Sequence, residues 1–381
     1  IGPGAQDLAI VGGGSARVRA HYSLSLDEIL AARFGAGVQV EHAPGCQLAA
    51  GPDEAEPGSE EMLKGAATLA READLAVVVV GTNPFWESEG YDRENMDLPG
   101  RQAELVERVL DANPRTVVVL NSGAPVSLPF ARRAPAMLQC WFGGQELANA
   151  LADVLLGAVD PGGRLPVTFP ERLEHTPAFG LFPAESSSVR YGEGLLVGYR
   201  WYQARHLPVL FPFGHGLSYT AIAVTSARLT SAVLAPGGRL SVDVDVENPG
   251  PRAGSEVVQL YVAPPGGGQL VPGGRLRPVK SLKAFAKAHL APGDKATLKL
   301  ELNERSFAYY DVADGAWAEL SGRLGGEGRS PRGLHRREPG WYVDKGIYEL
   351  QIGRSCEDIC HCLAVEVLGR EGPLPPGAPV G

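Results

Sequence analysis

The residues best suited to chemistry lie between positions 81 and 93 of the 381-residue chain. Gly81-Thr82-Asn83-Pro84-Phe85-Trp86-Glu87-Ser88-Glu89-Gly90-Tyr91-Asp92-Arg93 mixes three carboxylates with an arginine and several aromatic rings. Aromatic neighbours desolvate a carboxyl and raise its pKa, which keeps a general acid protonated near neutrality. Pattern alone leaves a second reading open, a solvated acidic loop with no chemistry. Asn121-Ser122-Gly123-Ala124-Pro125 and Cys140-Trp141-Phe142-Gly143-Gly144 carry fewer ionisable groups. Cys356-x3-Cys360-His361-Cys362 offers soft ligands at close spacing, but it lacks a second ligand pair at a familiar zinc spacing, so no metal is expected. Leu8-Ala9-Ile10-Val11 running into Gly12-Gly13-Gly14 reads as a further parallel strand and its turn. Without a G-x-G-x-x-G spacing that turn is no nucleotide site, and no cofactor is expected.

The elements that must hold these loops are legible upstream and downstream of them. Ser59 followed by Glu60 and Glu61 marks a helix start, with Met62, Ala66 and Leu69 on one face. Leu75 to Val80 and Thr116 to Leu120 are uninterrupted, mostly β-branched runs, as in strands covered on both faces. Between them, Leu105, Val106, Val109 and Leu110 give a helical stripe over 102–112 that Asn113-Pro114 stops. Ala136 to Gln139 is a weaker third strand, and Leu147, Leu151, Val154 and Leu155 form a stripe closed by Gly157. This alternation predicts an open, mostly parallel α/β sheet. In such a sheet ligands bind beyond the carboxyl ends of the strands, which is where the three loops fall.

From about residue 236 the period changes to two. Leu240, Val242, Val244 and Val246 alternate with polar residues, as do Ala296, Leu298, Leu300 and Leu302, and turn clusters separate the runs. An all-β antiparallel sandwich is predicted over 236–368, with a disordered insertion at 320–338 and a Pro/Gly linker tail at 369–381. The net charge of −9, with a sequence pI near 5.5, argues against a nucleic-acid partner. No run approaches the ~18 apolar residues of a membrane span. Five sparse cysteines and the lack of an Asn-x-Ser/Thr acceptor lean toward a reduced, intracellular setting.

Trp86 to Pro99 resembles the acid/base loop of glycoside hydrolase family 3, the β-glucosidase family. Further stretches agree in order: Val119 to Val126, Trp141 to Glu146, Pro161 to Pro166, Tyr191 to Gly194 with Val197 to Tyr202, and Phe211 to Tyr219. Ala253 to Val262 and Arg277 to Leu282 are similar to the fibronectin type III-like module that closes many of these enzymes. The resemblance implies a family 3 C-terminal α/β domain over 1–225 and a fibronectin type III-like domain over 236–368. It implies a retaining β-glycosidase acting on terminal β-linked glucosyl residues of a β-glucoside or oligosaccharide. Glu89, before Gly-Tyr-Asp-Arg, takes the acid/base position, with Glu87 as the alternative, and Phe85 and Trp86 are candidate walls of a sugar subsite.

In that family the nucleophilic Asp sits in a (β/α)8 barrel, in a Ser-Asp-Trp-like context. None of the five tryptophans here follows an Asp, and a barrel needs about 250 residues that are not left over. The barrel is therefore expected as a partner carrying the nucleophile. The alternative is a non-catalytic carbohydrate-binding or interaction module. Asp92 with Arg93, and Glu193 with Arg200, are expected as structural ion pairs, and His215 as a hydrogen-bonded turn residue.

Overall fold

The computed structural model describes residues 1–48, 59–184, 186–271, 275–311 and 338–375. Two compact units emerge, one of residues 1–159 with 169–176, the other of 160–168 with 177–381.

In the first unit, β1 (Ala76–Gly81), β2 (Thr116–Asn121) and β3 (Ala136–Gln139) form a parallel sheet in that order. Side chains alternate between its faces. Val79 and Val119 point into a cluster with Leu26 and Leu30 of α1 (Leu26–Phe34) and Leu147, Leu151 and Ala152 of α4 (Leu147–Leu155). The buried Val78, Val80, Val118 and Leu120 face the other way, where α3 (Gln102–Ala112) packs on both strands and α2 (Glu60–Glu72) packs on α3. Both faces are covered, which is why the strands read as unbroken apolar runs. The Ser59 hydroxyl caps α2 by accepting from Met62 N at 3.3 Å. The buried stripe of α2 is Leu63, Ala66 and Ala70 rather than Met62, Ala66 and Leu69, so the face is turned from the expected one.

The expected strand at Leu8–Val11 does not form. Ile1 occupies the free edge of β1 instead: its ammonium donates to Val77 O at 2.9 Å and its carbonyl accepts from Val79 N at 2.8 Å. Residues 8–11 run as irregular chain, tied by side-chain and loop contacts to the sheet's carboxyl end.

The second unit is a two-sheet sandwich. Its elements are β4 (Ala223–Leu229), β5 (Val233–Leu234), β6 (Arg239–Glu247), β7 (Gly254–Ala263), β8 (Ser281–Leu290), β9 (Lys295–Asn303), β10 (Gly346–Gly353) and β11 (Ile359–Val367). One sheet has the order β8-β7-β10-β11-β5 and the other β9-β6-β4. Inward residues of both, among them Val242, Val244, Leu260, Leu300, Leu350 and Val365, share one core. The sandwich begins before the expected residue 236, because β4 belongs to it. A bulge between Val224 and Ser226 breaks the period of two there and hides the strand from pattern reading.

Residues 160–168, taken in sequence as part of the α/β domain, are fastened to the sandwich unit. Asp160 accepts from Tyr219 N and Ser255 N, each at 3.0 Å. Lys287 Nζ donates to Gly162 O at 2.9 Å, and Arg164 pairs with Glu256 in a buried bridge. The α/β-to-sandwich boundary expected at 225–236 therefore differs from the compact units. Of the expected 320–338 insertion, all but Glu338 lies outside the described residues. The described part of the expected linker tail, 369–375, packs rather than hangs free: Leu374 is buried in the sandwich core and donates its N–H to Trp341 O at 2.7 Å.

Candidate active site

The loop after β1 leaves the sheet at Gly81, where a Cβ would stand 1.8 Å from Asn121 O, so only glycine allows the two strands to close there. Gln102, fully buried at the start of α3, clamps this point: Gly81 N donates to its Oε1 at 2.8 Å, and its Nε2 donates to Gly81 O at 2.8 Å and Pro99 O at 3.0 Å. The loop is thus held at its exit and near its return. Asn83 then starts a turn, its side-chain oxygen accepting from Phe85 N at 2.9 Å and its carbonyl from Trp86 N at 2.9 Å. Beyond it, Ser88 and Tyr91 pair as an antiparallel bridge, and Tyr91 Oη donates to Pro84 O at 2.9 Å.

This tight turn sends the two candidate carboxylates in different directions. Glu87 points inward, its side chain 14% exposed. It accepts from the Thr82 hydroxyl and from Gly123 N at 3.0 Å, and the Arg93 guanidinium stands 3.9 Å away. Arg93 also donates to Pro125 O at 3.1 Å. Glu87 therefore ties its own loop to the loop after β2. Glu89, at the tip, is exposed and makes no ion pair among the described residues. Its Oε2 accepts from Ser15 N at 2.8 Å. The Ser15 hydroxyl, and after it the Ser15 N–H, hold the Glu89 carboxyl below the ordinary glutamate range. The desolvated, raised carboxyl anticipated from the aromatic neighbours is not what this loop holds: the rings do not cover Glu89.

Phe85 is 61% exposed and Trp86 half-buried on the same loop. Trp141, at φ 55°, rests against Phe169 with ring centroids 6.2 Å apart. The expected Asp92–Arg93 ion pair is absent: Asp92 is exposed, and Arg93 turns to Glu87 because that carboxylate is the sheltered one. No ion pair joins Glu193 to Arg200 among the described residues either. Arg200 lies instead over the Tyr199 ring, 5.7 Å from its centroid. His215 donates its backbone N–H to Pro212 O at 3.0 Å and its ring stacks on Phe211. Burial first, then the Arg164 charge, lowers its pKa. Along β11, Cys360 and Cys362 share one face while His361 points the other way, toward Val224 O at 3.1 Å. Among the described residues no group of three such side chains is placed to hold a metal ion.

Nothing local in the sequence attaches the Gly12-to-Ser15 segment to this site. It crosses the sheet's carboxyl end: Ala9 exchanges hydrogen bonds with the Asn121 side chain at 2.7 and 3.0 Å, and Gly144 N donates to Ile10 O at 2.9 Å. Gly13 N then donates to Glu87 O at 2.9 Å. The one available signal was three consecutive glycines, which permit close backbone approach.

Comparison with known proteins bears on this loop. The model described as Glycosyl hydrolase family 3 C-terminal domain matches residues 1–219, and that of the Fibronectin type III-like domain matches 256–324. A protein described as probable beta-glucosidase I from Aspergillus clavatus is 44% identical over 270 residues, covering 70% of this chain and 32% of that protein. The solved β-glucosidase of Kluyveromyces marxianus in complex with glucose is 40% identical with a TM-score of 0.69, over 82% of this chain and 34% of that one. A GH3 β-glucosidase from Bifidobacterium adolescentis is 32% identical with a TM-score of 0.77, over 99% and 52%. The chain spans about a third of the length of the curated relatives cited, which run beyond it.

Proposed function

Since this chain belongs to glycoside hydrolase family 3, we propose that it is the part of a retaining β-glycosidase that supplies the general acid/base, with Glu89 in that role. The observation that carries the reading is the divergence of the two carboxylates. Glu87 is consumed by Thr82, Gly123 and Arg93, while Glu89 is offered outward from the carboxyl rim of a parallel sheet. A proton donor must reach the substrate, which favours the outer group. The substrate is a β-glucoside, in keeping with the glucose-bound relative.

In the double displacement, an aspartate from a (β/α)8 barrel segment attacks the anomeric carbon as Glu89 protonates the departing oxygen. The resulting glycosyl-enzyme is opened by water, which gives a proton to the Glu89 carboxylate. Phe85 and Trp86 stand on the loop where an aglycone ring would pass.

The test is the chain joined to a barrel segment carrying the nucleophile. Glu89→Gln is expected to lose about 10²–10⁴-fold on β-glucosides with poor leaving groups and far less on dinitrophenyl glucoside, with azide restoring turnover. Loss independent of the leaving group, or the same pattern in Glu87→Gln instead, refutes the assignment.

A further inference from the structure

We propose that Ser15 is the positioning residue of the Glu89 carboxyl, and that the Gly12-Gly13-Gly14 turn exists to bring Ser15 against it. This rests on the reading of Glu89 as the acid/base, and it adds a residue from a distant segment to that site.

The contact is built rather than incidental. Ser15 N donates to Glu89 Oε2 at 2.8 Å, across 74 positions of sequence. At Gly14, with φ +77°, a Cβ would lie 2.7 Å from Glu89 Cβ and 3.0 Å from its Oε2. At Gly13 a Cβ would lie 2.5 Å from Pro84 O and 2.8 Å from Ser88 Oγ. Two successive positions thus admit no side chain, because the acid loop lies directly against the turn. Gly14 also needs a backbone conformation that other residues adopt only with strain.

Both ends of the contact are anchored. The turn is fixed by Gly13 N on Glu87 O at 2.9 Å, and the strand of chain before it by the Asn121 amide on Ala9. The acid loop is fixed by the Ser88–Tyr91 bridge on either side of Glu89. An exposed glutamate at a turn tip would otherwise sample many rotamers, and Ser15 is what orders it.

No charge competes for this role. Glu87 is turned to Thr82, Gly123 and Arg93, and Arg93 to Glu87 and Pro125. Asp92 and Glu94 on the acid loop are carboxylates like Glu89 and offer it no partner, and Arg17 after the turn makes no ion pair with it among the described residues. The carboxyl is therefore set by hydrogen bonds, with the Ser15 hydroxyl the larger influence and its N–H the next.

Two readouts test this separately from the acid/base reading. In the 381-residue chain, carbon-13 NMR follows the titration of the Glu89 carboxyl, assigned by its loss in Glu89→Gln. Ser15→Ala should move the midpoint upward, Ser15→Thr should leave it in place, and Gly14→Ala should move it as Ser15→Ala does. In the barrel-joined protein, Ser15→Ala should lower kcat on substrates with poor leaving groups, leave KM nearly unchanged, and carry the alkaline limb of kcat/KM to higher pH. An unmoved midpoint in Ser15→Ala overturns the proposal whatever becomes of the acid/base reading. A moved midpoint combined with no leaving-group dependence in Glu89→Gln overturns that reading, and leaves Ser15 as the residue that sets the Glu89 carboxyl.

Discussion

Replacing Glu87 by alanine tests whether its carboxylate holds the loop after β1 to the loop after β2. Glu87 and Arg93 are 14% and 17% exposed, with 3.9 Å between Oε1 and Nη1. At that separation the Coulomb attraction is about 4 kcal/mol at an effective dielectric constant near 20, and about 1 kcal/mol in water. Arg93 Nη1 is buried and has no hydrogen-bond acceptor among the described residues, so its charge leans on Glu87. Truncating Glu87 also leaves Gly123 N without its acceptor. Removing one partner of a buried pair costs about 3–5 kcal/mol, and the lower end applies here because neither side chain is fully enclosed. Glu87→Gln keeps an oxygen toward Gly123 N and loses only the charge, for about 1–2 kcal/mol. Arg93→Met in the Glu87→Ala background removes the stranded cation and should recover about 2 kcal/mol. Native-state hydrogen exchange of peptides from β2 is the assay, since the amides of that central strand exchange only when the unit opens. A cost below about 0.5 kcal/mol for Glu87→Ala, the size of an ordinary surface change, would refute the structural role.

Two further outcomes follow from the sandwich unit. Arg164 and Glu256 are 7% and 6% exposed, so Glu256→Ala should cost about 3–5 kcal/mol in denaturant unfolding, while Arg164→Met with Glu256→Leu should recover most of it. Burial, then the charges of Arg200, Arg305 and Arg277, push the Lys283 ammonium down to about 8. Its unfolded value is about 10.4, so between those limits the unfolded chain binds more protons and stability rises with pH. Lys283→Met should therefore stabilise the chain at pH 7, by up to about 3 kcal/mol, and flatten the rise in denaturation midpoint between pH 8 and 10. An unchanged slope would contradict the burial of that charge.

What the sequence disclosed, and what it hid, divides by the range of the forces involved. β1 and β2 were legible because both faces are covered, and α3 was read to the residue because Asn113-Pro114 ends it. The stripe of α2 was misjudged because Leu63 and Ala70 flank Ala66 on the buried face, where Met62 and Leu69 were expected. β4 was missed because one bulge shifts its alternation. Leu8–Val11 has the composition of a strand, yet its partners are a side-chain amide 112 positions away and a loop, neither of which leaves a local mark. The same limit applied to the two glutamates. Two residues apart in extended chain they would share a face, but the turn at Ser88–Tyr91 separates them. Which one turns inward depends on Thr82, Gly123 and Arg93 acting together.

The low-lying Glu89 carboxyl is at first sight the wrong setting for a general acid. In the proposed double displacement, however, the group would act twice, as acid in the first half and as base in the second. Hydrogen bonds from Ser15 favour the carboxylate, the form that must accept a proton from water. The protonated form required first is favoured by desolvation, and in the proposed enzyme that comes from substrate and barrel closing over an exposed tip. The two influences have opposite signs, so a group held by Ser15 and covered only during turnover can have its pKa lie between the demands of the two halves. A permanently buried glutamate would be poised for the first half alone, and a freely exposed one would be ordered for neither.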